Sequence, residues 1–309
     1  MAKIKRLFND PYDIVEEMVE GYVGAHKQYV KMCDLDEAQG RVVLANDAGT
    51  KDKVGVIIGG GSGHEPLFIG YVGEDFADAV VIGNINTSPS PDPCYAAAKA
   101  CDNGKGCIYL YGNYAGDVMN FDMGAEKADE EDDIRVETVL VTDDAVSSEN
   151  IPDRRGIAGD FFVFKVAGAK AATGADLDEV VAAAQKANDN TRSMGVAMSS
   201  ATLPAKGGTI FDMEDGDMEI GMGIHGEPGI RRGKIDTADN VIDEIMEPIL
   251  KDLPYVEGDE VYVLVNSLGA TPLIDLHVCY RRVAQILEEK GIKVYKALVG
   301  PFACSMDMA

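Results

Sequence analysis

Apolar runs of strand length, separated by helical patterns, constrain this chain more than any other feature. They are Val54–Ile58, Ala79–Ile82, Cys107–Tyr111, Val136–Val141 and Phe161–Val166, and the first three stop directly at a glycine. Helical patterns at Pro93–Cys101 and Met119–Glu131 lie between them. Such alternation predicts a sheet with helices on its faces. Before it, Asp10 and Pro11 open an amphipathic pattern reaching Met32, with Ile14, Met18, Tyr22 and Val23 on one face. A further helix, Leu177 to Arg192, reads as a bridge into a new unit. That unit holds strands Val196–Leu203, Ile210–Met213 and Met218–Met222, the last two around an Asp215-Gly216 turn. Helix Val241–Leu250, strand Val261–Val265, helix Leu273–Lys290 and strand Val294–Val299 close it. The fold class expected is α/β: two domains, each a mostly parallel or mixed sheet flanked by helices, at residues 1–184 and 185–309.

Composition narrows the function. With 53 Asp+Glu against 28 Lys+Arg, the formal charge of −25 repels phosphate backbones, so nucleic acid is not an expected partner. The six cysteines form no Cys-x-x-Cys pair, which predicts free thiols in a reducing compartment and no structural zinc. The basic segment Met1–Asp10 has no apolar stretch behind it, and no run approaches 18 apolar residues. A cytoplasmic protein with no membrane span is expected.

Four loops carry the chemistry. Gly59-Gly60-Gly61-Ser62-Gly63-His64-Glu65-Pro66 follows a strand, and its glycines let a ligand approach the backbone closely. It is not a nucleotide loop. No Lys-Ser/Thr follows the glycines, and either register of a dinucleotide fingerprint meets His64 or Pro66 where its last glycine belongs. Thr87–Asp92 and Gly112–Phe121 also follow strands, and Asp117 in the second reads either as a helix N-cap or as a working carboxylate. Three polar strand ends in one domain predict a shared crevice. The fourth loop, Gly221–Gly229, sets His225 between glycines. A neutral imidazole is a competent nucleophile toward a carbonyl carbon. A local echo links Gly63-His64-Glu65-Pro66 to His225-Gly226-Glu227-Pro228. His26 and His277 lie on helical patterns and read as structural. Arg154-Arg155 reads either as an anion or partner contact or as a loop entering a strand.

These motifs, with Arg154–Gly159 and Arg192–Gly195, occur in the order in which the dihydroxyacetone-binding subunits of bacterial dihydroxyacetone kinases carry them, and the chain closely resembles that family from about Pro11 onward. The resemblance implies two α/β domains forming a homodimer, and a hemiaminal between His225 and the carbonyl of dihydroxyacetone or a similar short ketose. It implies that His64 and Asp117 are catalytic, with Gly61, Ser62 and Gly63 also contacting substrate. No cofactor is implied on this chain. ADP with Mg²⁺ is expected on a separate ADP-binding kinase subunit, recharged ultimately from phosphoenolpyruvate. Two positions depart from the family pattern: Gly112 stands where many members have lysine, and Asn86 where phenylalanine is usual. Both open the pocket and suit a four-carbon ketose such as erythrulose. The resemblance also admits a second role, a ligand-sensing coactivator of a transcription factor. The chain ends soon after Pro301, so a last strand is expected to be shortened or missing.

Overall fold

The computed structural model describes residues 6–309; residues 1–5 of the basic segment lie outside the described residues. The chain divides into two α/β units, one of them formed by Gly159–Thr191 and the described residues up to Thr142, the other by Asp143–Ala158 and Arg192–Ala309.

The first unit opens with α1 (Ile14–His26), which buries Val15 and Val19. The amphipathic pattern predicted a helix to Met32, but a turn from Tyr29 N–H to His26 C=O ends it. The chain then enters β1 (Val30–Met32), antiparallel to β2 (Val42–Ala45), with Val30 opposite Ala45. Strands this short carry no readable periodicity. There follow β3 (Gly55–Ser62), β4 (Ala79–Ile85), α2 (Pro91–Cys101), β5 (Cys107–Gly112), α3 (Ala115–Asp132), β6 (Val136–Val141), α4 (Asp160–Ala172) and α5 (Leu177–Asp189).

The sheet order is β1-β2-β4-β3-β5-β6, parallel from β4 to β6. Every residue of β3 and β5 is buried, as a parallel sheet covered on both faces requires. Two helix pairs, α2 with α3 and α4 with α5, pack on it. From β3 the chain steps to β4 on one side and later to β5 on the other. Strand order therefore reverses at β3, the position where open α/β sheets bind ligands. The Phe161–Val166 run, expected as a strand, lies in α4. Its buried residues Val163, Phe164, Ala167, Gly168 and Ala171 repeat at helical spacing. A short, mostly apolar run looks alike in either conformation, and burial decides between them.

In the second unit, β7 (Val196–Ala197), β8 (Thr202–Leu203), β9 (Gly208–Thr209), β10 (Asp217–Ile220) and β11 (Arg231–Lys234) precede α6 (Ala238–Asp252), β12 (Glu260–Gly269), α7 (Leu273–Glu289) and β13 (Lys293–Met308). The order β11-β10-β7 is antiparallel throughout, β8 and β9 form a hairpin, and β12 and β13 run parallel with α7 between them in sequence. The expected strand Val196–Leu203 is two separate two-residue pieces, and residues 210–213 are not a strand. Charged β11 was not anticipated, because its own residues Arg231-Arg232-Gly233-Lys234 carry no apolar alternation. The strand expected to be shortened continues through Pro301 to Met308. Residues Ile242, Ile245, Val283, Ile286, Leu287 and Ile292 form the core of this unit around α6 and α7. The helix expected to bridge the units stays in the first, and the expected break between 184 and 185 falls inside α5. Among the described residues, no helix is long and apolar enough to cross a membrane.

Candidate functional site

Because β4, β3 and β5 are parallel, their carboxyl ends lie at one edge of the first unit, and the three polar loops start there. Gly61 is glycine for a reason of space: a Cβ on it would lie 2.7 Å from Thr87 N and 3.2 Å from Asn84 O. That close approach lets Asn86 N–H donate to Ser62 C=O at 3.0 Å. The Ser62 hydroxyl donates to Gly83 C=O at 2.8 Å and ties β3 to β4. Asn86 holds φ +53°, a left-handed conformation that asparagine tolerates better than most residues. Across the edge, the Asn120 side-chain amide donates to Pro89 C=O at 2.8 Å and to Ser88 Oγ at 3.2 Å, joining α3 to the Thr87–Asp92 loop.

Asp117 is buried in the first turn of α3. The N-cap of that helix is Tyr114, so the cap reading of Asp117 does not hold. Its helix is fixed by Phe121, whose ring stacks on Tyr111 at 4.3 Å and meets Tyr109 edge-on at 5.1 Å. Such aromatic pairs contribute ~0.5–1.5 kcal/mol each beyond area burial. Burial, with the nearby Asp117 charge, pushes the Cys94 thiol well up in pKa, so it stays protonated. His64 is 2% exposed, edge-on to Phe68 at 6.5 Å between ring centres. Beside it the Glu65 carboxylate accepts from Gly63 N–H at 3.0 Å, and burial pushes its pKa up.

His225 lies in the second unit, on the loop from β10 to β11. Gly221 N–H donates to Gly195 C=O at 2.7 Å, and Gly226 N–H to Gly223 C=O at 3.0 Å, which fixes the turn. The Glu227 carboxylate takes the His225 backbone N–H at 2.9 Å and stands 3.0 Å from the ring Nδ1. Nε2 is the ring nitrogen that Glu227 does not engage. The sequence echo thus has a structural counterpart. In both copies the Glu carboxylate folds back on a backbone N–H two residues earlier, which is Gly63 in one and the histidine itself in the other.

Behind the loop, Arg155 Nε donates to Asp144 at 2.9 Å and Arg155 Nη2 to Gly221 C=O at 3.1 Å. Burial, opposed by Arg155 and reinforced by Asp143, pushes the Asp144 pKa up to about 6. Arg154 forks onto both oxygens of Asp252 at 2.7 Å, and Arg192 joins the same carboxylate. Both arginines of the Arg154-Arg155 pair are therefore engaged within the unit. Sequence reading gave Asp144 and Glu227 no role, although the His-Gly-Glu-Pro echo was a signal for the second, and it read Arg155 as an anion or partner contact or a loop residue, not as a partner of Asp144. Among the described residues, no cluster of His, Cys, Asp and Glu could hold a metal ion.

Similarity to known proteins extends over nearly the whole chain. The model of the Dak1 domain matches residues 20–309. The chain belongs to the Dak1 family. A Dak1 relative, the dihydroxyacetone-binding subunit of PTS-dependent dihydroxyacetone kinase 2 of Listeria innocua, is 59% identical over 99% of this chain and 91% of its own. L-erythrulose 1-kinase of Mycolicibacterium smegmatis is 42% identical over 98% of this chain, which spans 53% of that protein. Among solved structures, the native dihydroxyacetone kinase of C. freundii superposes with a TM-score of 0.88 at 33% identity, covering 98% of this chain and 55% of that one. The fold is thus shared with that kinase over nearly the whole chain.

Proposed function

We propose that this chain is the substrate-binding subunit of a dihydroxyacetone kinase, acting with a separate nucleotide-carrying subunit and with phosphoenolpyruvate as ultimate donor. The observation that carries this reading is the 59% identity, over 99% of the chain, to the Listeria innocua subunit. In this reading His225 adds to the ketose carbonyl as a hemiaminal. Covalent anchoring fixes the orientation of the terminal hydroxyl and removes part of the entropic barrier to transfer. Asp117 and His64 manage the proton of the attacking hydroxyl, and Gly61, Ser62 and Gly63 contact the substrate. The partner brings ADP and Mg²⁺, whose role is to carry the phosphoryl group and neutralise its charge. The working protein is a cytoplasmic homodimer.

The test uses the purified chain with dihydroxyacetone. With ATP and Mg²⁺ alone it should form no sugar phosphate. A cognate ADP-binding subunit and a phosphoenolpyruvate-driven donor should restore turnover. Steady ATP-dependent product from the chain alone would overturn the assignment. Ligand binding without turnover in the full mixture would favour the sensing role.

A second reading concerns the ketose. Among the described residues, Asn86 Oδ1 is a buried acceptor with no hydrogen-bond partner. A four-carbon ketose carries one hydroxyl more than dihydroxyacetone, and such a hydroxyl would satisfy this atom. An unpaired buried acceptor costs about 1–3 kcal/mol, so the selectivity available is substantial. The erythrulose kinase among the relatives is consistent with that choice.

A further inference from the structure

We infer that Glu227 is a positioning residue for the His225 nucleophile: its carboxylate holds the ring proton on Nδ1, so that Nε2 presents its lone pair to the ketose carbonyl. This rests on the reading of His225 as the covalent anchor.

The geometry is specific. One Glu227 oxygen lies 3.0 Å from His225 Nδ1 and the other accepts the His225 backbone N–H at 2.9 Å. A carboxylate is an acceptor only, so the nitrogen facing it must carry the hydrogen. The carboxylate stays ionised: burial pushes its pKa up, but the His225 ring, a backbone N–H and Arg155 outweigh that and hold it at about 2. The support continues outward. A Cβ at Gly223 would overlap a Glu227 oxygen and lie 2.6 Å from Arg155 Nη1, so carboxylate and guanidinium converge where only glycine fits. Arg155 is fixed in turn by the fully buried Asp144 at 2.9 Å and by Gly221 C=O.

The step balances without a further reagent. The Nε2 lone pair forms the C–N bond, the carbonyl π pair moves to oxygen, and that oxygen takes a proton from solvent. The ring becomes cationic with its proton still on Nδ1, opposite the Glu227 carboxylate. Nδ1 keeps that proton, so the cationic ring of the adduct is balanced by the Glu227 carboxylate, and overall one proton is taken up from solvent.

Glu227→Gln separates this role from plain turn stabilisation. The amide keeps the shape but offers one acceptor and one donor to two donors. If it accepts the backbone N–H, its NH₂ faces Nδ1 and moves the ring proton to Nε2, removing the nucleophilic lone pair. Loss of the correct tautomer by an acid-to-amide change beside a catalytic histidine lowers kcat by ~10⁴-fold in serine proteases. Here a fall of about 10²–10⁴-fold in kcat/KM is expected, with Glu227→Asp recovering part of it.

The experiment is ¹⁵N-histidine NMR of the whole chain, with and without [2-¹³C]dihydroxyacetone. Ligand-free wild type should show His225 protonated on Nδ1. With ligand, a one-bond ¹³C–¹⁵N coupling should appear at Nε2. Glu227→Gln should show the Nε2–H form and no coupling. An Nε2–H tautomer in ligand-free wild type would overturn the inference whether or not the variant folds. So would a Gln variant that keeps the Nδ1–H form and the adduct. Absence of coupling in the wild type defeats the covalent reading alone, and the ligand-free tautomer still decides the role of Glu227.

Discussion

Asp252 ends α6 with both oxygens closed on Arg154 and one shared with Arg192, and Asp252→Asn tests how much this junction contributes to the second unit. Hydrogen bonds from Arg154 lower the Asp252 pKa to about 2; burial opposes them and Arg192 adds to them. From an ordinary value of ~3.9, that lowering corresponds to about 2.5 kcal/mol of stability at pH 7. Water reaches 21% of the Asp252 side chain, and screening reduces the charge contribution to roughly 1–2 kcal/mol. The Arg154 and Arg192 side chains are only 4% and 3% exposed, and the variant leaves both facing a neutral amide. Breaking a buried pair on one side costs ~3–5 kcal/mol. The expected loss is therefore about 2–4 kcal/mol, or roughly 4–12 °C in Tm. The sign with pH follows from a depressed carboxylate. Its stabilisation is complete above the unfolded value of ~3.9 and is lost as pH falls toward 2, so about half remains at pH 3. Because the chain has no Trp, urea unfolding is best followed by far-UV circular dichroism. A difference below about 0.5 kcal/mol at pH 7, or one equally large at pH 3, would refute the reasoning.

Asp117→Ala should lower kcat by ~10²–10⁴-fold, typical of a lost general base, and still bind ketose. A large drop in Tm with turnover intact would instead make Asp117 a structural residue of α3. Asn86→Gly keeps the left-handed backbone and removes Oδ1. The kcat/KM ratio of erythrulose to dihydroxyacetone should fall by about 2–12-fold, the worth of one hydrogen bond, and an unchanged ratio rejects a substrate contact there. Gly61→Ala places a methyl against the backbone of Thr87 and should cost about 1–3 kcal/mol as the Asn84–Thr87 turn shifts, with a raised KM in steady-state assays. A variant with wild-type Tm and KM would show that the turn moves freely.

Where local chemistry decides, the sequence was enough. Runs such as Cys107–Tyr111 are apolar at every position, which suits a strand covered on both faces, and the glycines at their ends mark where the chain leaves the sheet. The loops after β3, β4 and β5 were therefore legible as one edge. His225 was legible for a similar reason, since glycines crowd around a histidine only where backbone must turn tightly beside it. What the sequence could not decide depended on partners distant along the chain. Phe161–Val166 is a helix because its faces meet other elements, which a short apolar run does not reveal. Residues 143–158 leave one unit and join the other. They are held there by Arg154, which pairs with Asp252 ninety-eight positions away. The setting of the His225 ring was likewise tertiary. Asp144, Arg155 and Glu227 are ordinary charged residues in sequence, and their effect on His225 arises from burial and distances of about 3 Å, which no spacing rule encodes.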